Sequence, residues 1–141
     1  MNYKIFYAEL GKLLYAIADS DQIITQHESA ALKRIVRNEL IFLENSADEF
    51  NTDMAFYTEF EFDYLEENII ESEVAFQSFM DYLNLNKKTL NRKMLLATKR
   101  AAVKIAEAYY GTSRKENVFL QRLMKSVDEI LLEKQWNSIF L

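Results

Sequence analysis

The 141-residue sequence contains no cysteine and no proline, and it has only two glycines, Gly11 and Gly111. Without cysteine, disulfides, thiolate nucleophiles and thiolate metal sites are all excluded. The scarcity of turn-forming residues favours long helices with short connections over a strand-rich fold. The only histidine is His27, so a histidine-based metal cluster is excluded as well.

Long hydrophobic runs are also missing, since none approaches the roughly 18 residues that a membrane span requires. The first residues, "MNYKIFYAEL", mix charges with apolar side chains and lack the apolar core of a signal peptide. These features predict a soluble, cytoplasmic protein without a membrane span. Apolar residues make up 50% of the chain, which is enough for one core in a single domain, residues 1–141.

Charge of one sign is missing from two long segments. From Asn38 to Asn86 there is no lysine or arginine, and from Lys87 to Lys104 there are seven bases and no acid. Residues 1–86 carry 17 acids and 5 bases, whereas residues 87–141 carry 5 acids and 12 bases. This asymmetry is consistent with two halves that face each other within one globule. A docking surface for a charged partner would also show such an asymmetry.

Helical periodicity runs along most of the chain, and it predicts an all-α bundle of six or seven helices. The predicted helices cover about 3–18, a segment beginning after Thr25, 47–70, 73–83, 90–110 and a last segment beginning after Ser113. Capping boxes are predicted for Thr25 with Glu28 and for Ser46 with Glu49. The segment "FYTEFEF" also alternates like a strand, but we assign it to the third helix. The aromatic residues between Phe50 and Phe79 are expected to lie mostly in the core, and any exposed part would form a groove for a partner helix or peptide.

An internal repeat emerges when the sequence is aligned with itself at an offset of 88 residues. Residues 14–36 then align with residues 102–124, and Thr25 and Glu28 align with Ser113 and Glu116. The repeat predicts two pseudo-symmetric halves that pack together, because one helical hairpin cannot bury its apolar face alone. Any two capped helical hairpins could give a similar alignment, so that alternative stays open.

Three carboxylates in the stretch "AIADSDQIITQHE", residues 16–28, form a candidate metal site. Asp19 and Asp21 follow a helix C-terminus, where the helix dipole disfavours acids. Together with Glu28 they could supply oxygen ligands to calcium or another divalent cation. As an EF-hand loop the stretch fails, because Ile17 and Gln22 occupy a ligand position and the glycine position. There are two alternatives to a metal site. The stretch could be only a connection between two helices, with Asp19 solvated, or it could be an acidic docking point for a basic partner.

The same stretch resembles the TerB-like family, named for the tellurite-resistance protein TerB. The pattern is small residues at a helix end, an aspartate turn, an aliphatic residue, a hydroxyl cap and a glutamate. It is carried here by Ala16, Ala18, Asp21, Ile24, Thr25 and Glu28. Gln22 replaces the glycine of the family turn. The resemblance implies a compact helical fold of two similar halves. It also implies a stress-response module that binds cations at acidic loops and binds partners without catalysis. Only Asp21 and Glu28 inherit the motif; Asp19 is added from its position.

Two functions are therefore expected. The first is a non-enzymatic, intracellular stress-response module that binds a divalent cation in the acidic loop 19–28. The alternative is a metal-free protein–protein interaction module that uses the acidic and aromatic surface of residues 48–83. Catalysis is disfavoured because no phosphate-binding glycine loop and no nucleophile with its partners is present. Nucleic-acid binding is disfavoured because the basic segment interleaves its charges with a predicted core face and the chain is acidic overall.

Overall fold

A computed structural model of the chain describes residues 1–19, 26–41, 43, 47, 52–110 and 117–140, without the side chains of 26–29, 110 and 140. These residues form six α-helices: α1 (Tyr3–Ala18), α2 (Gln26–Ile35), α3 (Tyr57–Glu67), α4 (Ser72–Leu85), α5 (Arg92–Tyr110) and α6 (Val118–Phe140). A π-helical turn, Val36–Leu40, continues α2, and a 3₁₀ turn, Met54–Phe56, precedes α3. The described part of the chain contains no strand beyond one isolated bridge. The predicted all-α fold is thus confirmed.

Helix α1 supplies the centre of the core and has the bounds predicted from its periodicity. Its buried residues recur at helical spacing and contact α3, α4 and α5. The Asn2 side chain caps the helix by accepting a hydrogen bond from the Ile5 N–H at 3.2 Å. The predicted apolar faces of the other helices are buried too, as Leu32 on α2, Ile105 on α5 and Leu123 on α6 illustrate.

Helices α1 and α3 approach each other closely at Gly11. A Cβ built on Gly11 would lie 2.6 Å from the Thr58 carbonyl oxygen and 3.0 Å from the Glu61 Cβ. At the same contact, the buried Thr58 hydroxyl donates a hydrogen bond to the Tyr7 carbonyl at 2.8 Å. The absence of a side chain at Gly11 therefore determines how closely α3 can pack against α1. This contact also fixes which side of α3 faces outward.

The predicted helix over 47–70 is wrong at both ends. Helix α3 begins only at Tyr57, because the Asp53 side chain accepts a hydrogen bond from the Ala55 N–H at 2.9 Å and starts a separate 3₁₀ turn. Ala47 instead forms an isolated antiparallel bridge with Asp53. At the other end, Ile69 adopts a left-handed φ of 52° and stops the helix. The predicted capping box of Ser46 and Glu49 lies outside the described residues.

The start predicted for the last helix is also wrong. Helix α6 begins at Val118, and Asn117 caps it by accepting a hydrogen bond from the Leu120 N–H at 3.0 Å. Asn117 is buried, and its amide donates to the Ile17 carbonyl at 3.4 Å, which ties α6 to the end of α1. Residues 111–116, with the predicted cap Ser113, lie outside the described residues. The pseudo-symmetry of the two halves stays a prediction.

The two oppositely charged halves of the sequence do meet in the fold. Glu39 forms ion pairs with Arg100 at 3.2 Å and with Lys104 at 2.7 Å, and Glu73 pairs with Arg122 at 3.2 Å. These pairs join the acidic half to the basic half, as one of the two interpretations of the charge asymmetry predicts. Across the helices described, none is both long and apolar enough to cross a membrane.

Candidate functional site

Asp19 caps the C-terminus of α1 and takes part in a structural hydrogen-bond network. Its Oδ2 accepts a hydrogen bond from the Ser72 hydroxyl at 3.1 Å, which links the end of α1 to the start of α4. Nearby, the Tyr15 hydroxyl donates to the Ile70 carbonyl at 2.5 Å. Burial and the neighbouring Asp19 carboxylate raise the pKa of Tyr15 to about 12. Asp19 is therefore half-buried and bonded, not simply solvated.

The other two predicted metal ligands cannot be placed around Asp19. Asp21 lies outside the described residues, and Glu28 belongs to α2 by its backbone while its side chain is not described. Among the side chains that are described, no three histidine, cysteine, aspartate or glutamate residues are grouped so that they could hold a metal ion. A cation site formed by Asp19, Asp21 and Glu28 stays a prediction.

The outward side of α3 carries two exposed rings from the aromatic set that is expected to lie mostly in the core. Phe62 is buried together with Thr58 and Leu65, at helical spacing, whereas Phe60 and Tyr64 are 53% and 58% exposed. The exposed pair is one helical turn apart and lies between carboxylates. We define the acidic-aromatic face as Glu59, Phe60, Asp63, Tyr64 and Glu67.

The five carboxylates of α3 outnumber the described cations that lower their pKa values, which are Lys33 and Arg37. Partial burial is the main reason that the pKa values of Glu59, Asp63 and Glu66 are raised, and neighbouring carboxylates raise them further. Lys33 on α2 opposes the shift for Glu59 and Asp63. An open cleft of about 410 Å³ separates this row of carboxylates from α2. Within the described chain, no carboxylate of α3 forms an ion pair.

An aromatic ring beside the acidic-aromatic face contacts one cation within the chain. The Tyr57 ring packs edge-on against Phe60, with ring centroids 5.4 Å apart and planes at 82°. The Lys4 ammonium nitrogen lies 4.9 Å from the centroid of the Tyr57 ring, within the range of a cation–π interaction. The edge of the acidic-aromatic face therefore has a geometry that holds a lysine ammonium against an aromatic ring.

Replacing Glu66 with glutamine is expected to stabilise the fold at pH 7. A carboxyl group whose pKa is raised by folding stabilises the protein at low pH and destabilises it as the pH rises through the raised pKa. Glu66→Gln removes that charge, so the free energy of unfolding should exceed that of the wild type at pH 7. The difference should vanish as the pH falls through the raised pKa toward the ordinary value of 4.5. Urea unfolding at pH 7 and pH 4 measures it.

The matched control for this prediction is Glu133→Gln, which neutralises an exposed carboxylate on α6. This control should leave the free energy of unfolding nearly unchanged at both pH values, because surface substitutions away from such clusters have small effects. A Glu66→Gln protein that is less stable than the wild type at pH 7 would show that Glu66 makes a favourable interaction instead.

One signal in the sequence could have separated the exposed rings from the buried ones. On a helix, residues 58, 62 and 65 share one side, while residues 60 and 64 share the opposite side. The alternation of aromatic and acidic residues in "FYTEFEF" hides this division, because it places rings on both sides of the helix. Phe60 and Tyr64 lie within the predicted surface of residues 48–83, but no prediction distinguished them from the buried rings of the same segment.

Comparisons of the chain with protein-family models, with curated proteins and with solved structures find no match. The resemblance to the TerB-like family thus stays a prediction from the residues of the 16–28 stretch.

Proposed function

We propose that this chain is a non-enzymatic protein-interaction module whose acidic-aromatic face binds a basic, amphipathic segment of a partner protein. One observation carries the proposal: Phe60 and Tyr64 are more than half exposed and lie among carboxylates that lack ion pairs with described residues. Exposed aromatic side chains are typical anchors of protein interfaces. Surrounding carboxylates favour a partner that brings lysine or arginine to the same place.

Physical magnitudes indicate which part of the face would supply the affinity. Burying an aromatic side chain contributes about 1.5–3 kcal/mol, and a cation–π contact adds about 0.5–2 kcal/mol. An exposed ion pair contributes only about 0.2–1 kcal/mol. Phe60 and Tyr64 should therefore provide most of the binding energy, while the carboxylates select a basic partner and speed its association.

The proposal is tested with a labelled amphipathic peptide of lysine, leucine and tryptophan, titrated with the full chain and followed by fluorescence anisotropy. The wild type is expected to bind it saturably. The double variant Phe60→Ser with Tyr64→Ser should bind at least about tenfold more weakly, which corresponds to about 1.4 kcal/mol. A second peptide, in which serine replaces every leucine and tryptophan, should bind weakly to both proteins because it keeps only the charge.

The matched control is Leu85→Ser with Leu132→Ser, which removes two exposed apolar side chains outside α3. This control should bind the first peptide as the wild type does. Equal binding by the α3 variant and the wild type would contradict the proposal. Equal binding of the two peptides would contradict it as well, because attraction by charge alone does not need the aromatic rings.

A role in the stress response and the binding of a divalent cation are hypotheses that rest on the resemblance to TerB. A cation at Asp21 and Glu28 is compatible with the interaction proposal, because the acidic-aromatic face does not use either residue. Binding at the face and binding in the loop are therefore separate hypotheses with separate tests.

A further inference from the structure

A groove on the other half of the chain has the charge opposite to that of the acidic-aromatic face. It lies between α5 and α6 and has a volume of about 320 Å³. Its floor is apolar, and its rim carries three cations and one carboxylate. We define the basic groove as Leu96, Lys99, Arg100, Val103, Lys104, Glu107 and Met124. Its size is at the lower limit of typical small-molecule pockets, about 300–1,000 Å³, and suits one or two inserted side chains.

The cations of the groove are held in place from within the chain. Lys99 forms an ion pair with Asp128 of α6, and Arg100 and Lys104 share the single carboxylate of Glu39. Together with Glu107 of the lining, three carboxylates then lie near the three cations of the groove, so the unpaired positive charge of α5 lies next to the groove and not within it. The side chains are also oriented by these pairs, so a partner would not have to order them fully on binding.

The positive charge continues toward the N-terminus of α5. Arg92 and Lys93 are exposed and lie one to two helical turns before Lys99 and Arg100. Neither Arg92 nor Lys93 forms an ion pair within the described part of the chain. The groove thus lies in a basic stripe whose cations are only partly neutralised.

A basic stripe with an apolar groove is complementary to an acidic helix that exposes an aromatic side chain, and the chain itself contains such a helix. Helix α3 carries five acids and no base, while α5 carries five bases and one acid. The ion pairs described for α5 go to Glu39 and Asp128, so the carboxylates of α3 are not used by α5 within the same molecule. Each surface keeps a charge that the other could neutralise.

We propose that the acidic-aromatic face of one copy docks into the basic groove of a second copy, so that the chain self-associates head to tail. Phe60 or Tyr64 would enter the apolar floor, and Asp63 and Glu67 would meet the cations of the rim. This inference rests on the proposed function, since it names the basic groove of a second copy as the partner of the face. A contact between two different surfaces leaves one face and one groove open in every dimer. Growth therefore continues into longer chains unless a ring closes.

The test measures molar mass by sedimentation velocity of the full chain at low ionic strength, at protein concentrations from about 10 μM to about 1 mM, the range expected for a weak interface. The wild type should show a mass that rises with concentration and falls when salt is added, because the rim charges are exposed to solvent. The face variant, Phe60→Ser with Asp63→Lys, should stay monomeric. The groove variant, Lys93→Glu with Arg100→Glu, should stay monomeric too. Glu39 still has Lys104 as its partner in that variant.

The decisive sample is an equal mixture of the face variant and the groove variant. One intact groove and one intact face remain in this mixture, so the two proteins should associate. The uncharged pair, Phe60→Ser mixed with Lys93→Gln and Arg100→Gln, should stop at a 1:1 dimer, because it creates no new attraction between the altered face and the altered groove. A control with Glu129→Lys and Glu133→Lys, which reverses two exposed acids of α6, should self-associate as the wild type does. Circular dichroism shows whether each variant is folded. If a charge-reversed variant is not, Phe60→Ser alone replaces the face variant, and Lys93→Gln with Arg100→Gln replaces the groove variant.

A wild type that is monomeric throughout the concentration range would overturn the inference. A mixture of the two variants that stays monomeric would overturn it as well, because association would then use other surfaces. The peptide titration separates the two proposals. If the face binds the basic peptide but the wild type does not self-associate, only the second copy is ruled out as the partner. If the face also fails to bind the peptide, the proposed function fails too.

Discussion

Replacing Gly11 with valine is expected to destabilise the fold by about 3 kcal/mol or more, because two contacts at the α1–α3 junction cannot both persist. A Cβ at this position would lie 2.6 Å from the Thr58 carbonyl oxygen, which is backbone and cannot rotate away. Overpacking a dense core costs about 1–3 kcal/mol. Moving α3 to relieve the contact would also break the buried hydrogen bond from Thr58 to Tyr7, at about 0.5–1.5 kcal/mol.

Urea unfolding of Gly11→Ala and Gly11→Val measures the effect as a graded series. Alanine should be destabilising by a smaller amount, since its higher helix propensity returns about 1 kcal/mol. Valine should be clearly worse than alanine because its γ-carbons extend the clash. A valine variant as stable as the wild type would show that α3 does not pack on α1 at this distance.

Replacing Phe62 with alanine is expected to cost about 3–5 kcal/mol, the range for large-to-small changes at fully buried aromatic residues. The Phe62 side chain has no exposed surface, and its ring packs edge-on against Tyr15 with centroids 5.8 Å apart. Phe60→Ala should cost far less, on the order of 0.5 kcal/mol, because the ring is more than half exposed. The two substitutions are chemically identical and only two positions apart.

The same pair separates folding from function. Thermal or urea unfolding should rank Phe62→Ala far below Phe60→Ala in stability. Peptide binding should rank the two variants in the opposite order. Phe60→Ala should lose affinity for the peptide, whereas Phe62→Ala should keep it to the extent that the protein remains folded. If the two variants were equally destabilised, Phe60 would belong to the core, and the acidic-aromatic face would lose its main anchor.

The elements that could be predicted are those whose apolar spacing is unambiguous. Helix α1 has the predicted bounds, and the apolar face of α5 is buried as its spacing indicates. Both helices combine regular spacing with a sharp start, as the capping side chain of Asn2 shows for α1. Local sequence and tertiary packing favour the same structure in these segments.

Prediction failed where one residue decided between two local structures. Asp53 caps a 3₁₀ turn and delays α3, although the residues before it are compatible with a helix. Ile69 ends α3 in a left-handed conformation that a β-branched residue rarely adopts, so no glycine marks the end of the helix in the sequence. Gly11 could be noticed for its rarity, but its role depends on how close α3 lies, which is a tertiary property.

In the candidate site, too, the features with a local sequence signal could be predicted and those that depend on tertiary contacts could not. The acidic and aromatic composition of α3 is plain in the sequence, and it supported the interaction hypothesis. Which rings are exposed depends on the side of α3 that packs against α1, so Phe60 and Tyr64 were not distinguished from the buried rings. Asp19 accepts a hydrogen bond from Ser72, 53 positions away along the chain, so it is not simply solvated, whereas its role as a metal ligand stays a prediction. Contacts across such a distance have no local signal.

The most direct test of the acidic-aromatic face is a map of where a basic partner binds. Backbone amide chemical shifts of the ¹⁵N-labelled full chain would be followed by NMR while the lysine, leucine and tryptophan peptide is added. The largest shift changes are expected in α3, around Phe60 and Tyr64, and they should be absent from the same positions in the Phe60→Ser with Tyr64→Ser variant. Saturable changes that leave α3 unaffected, or no changes at all, would contradict this expectation.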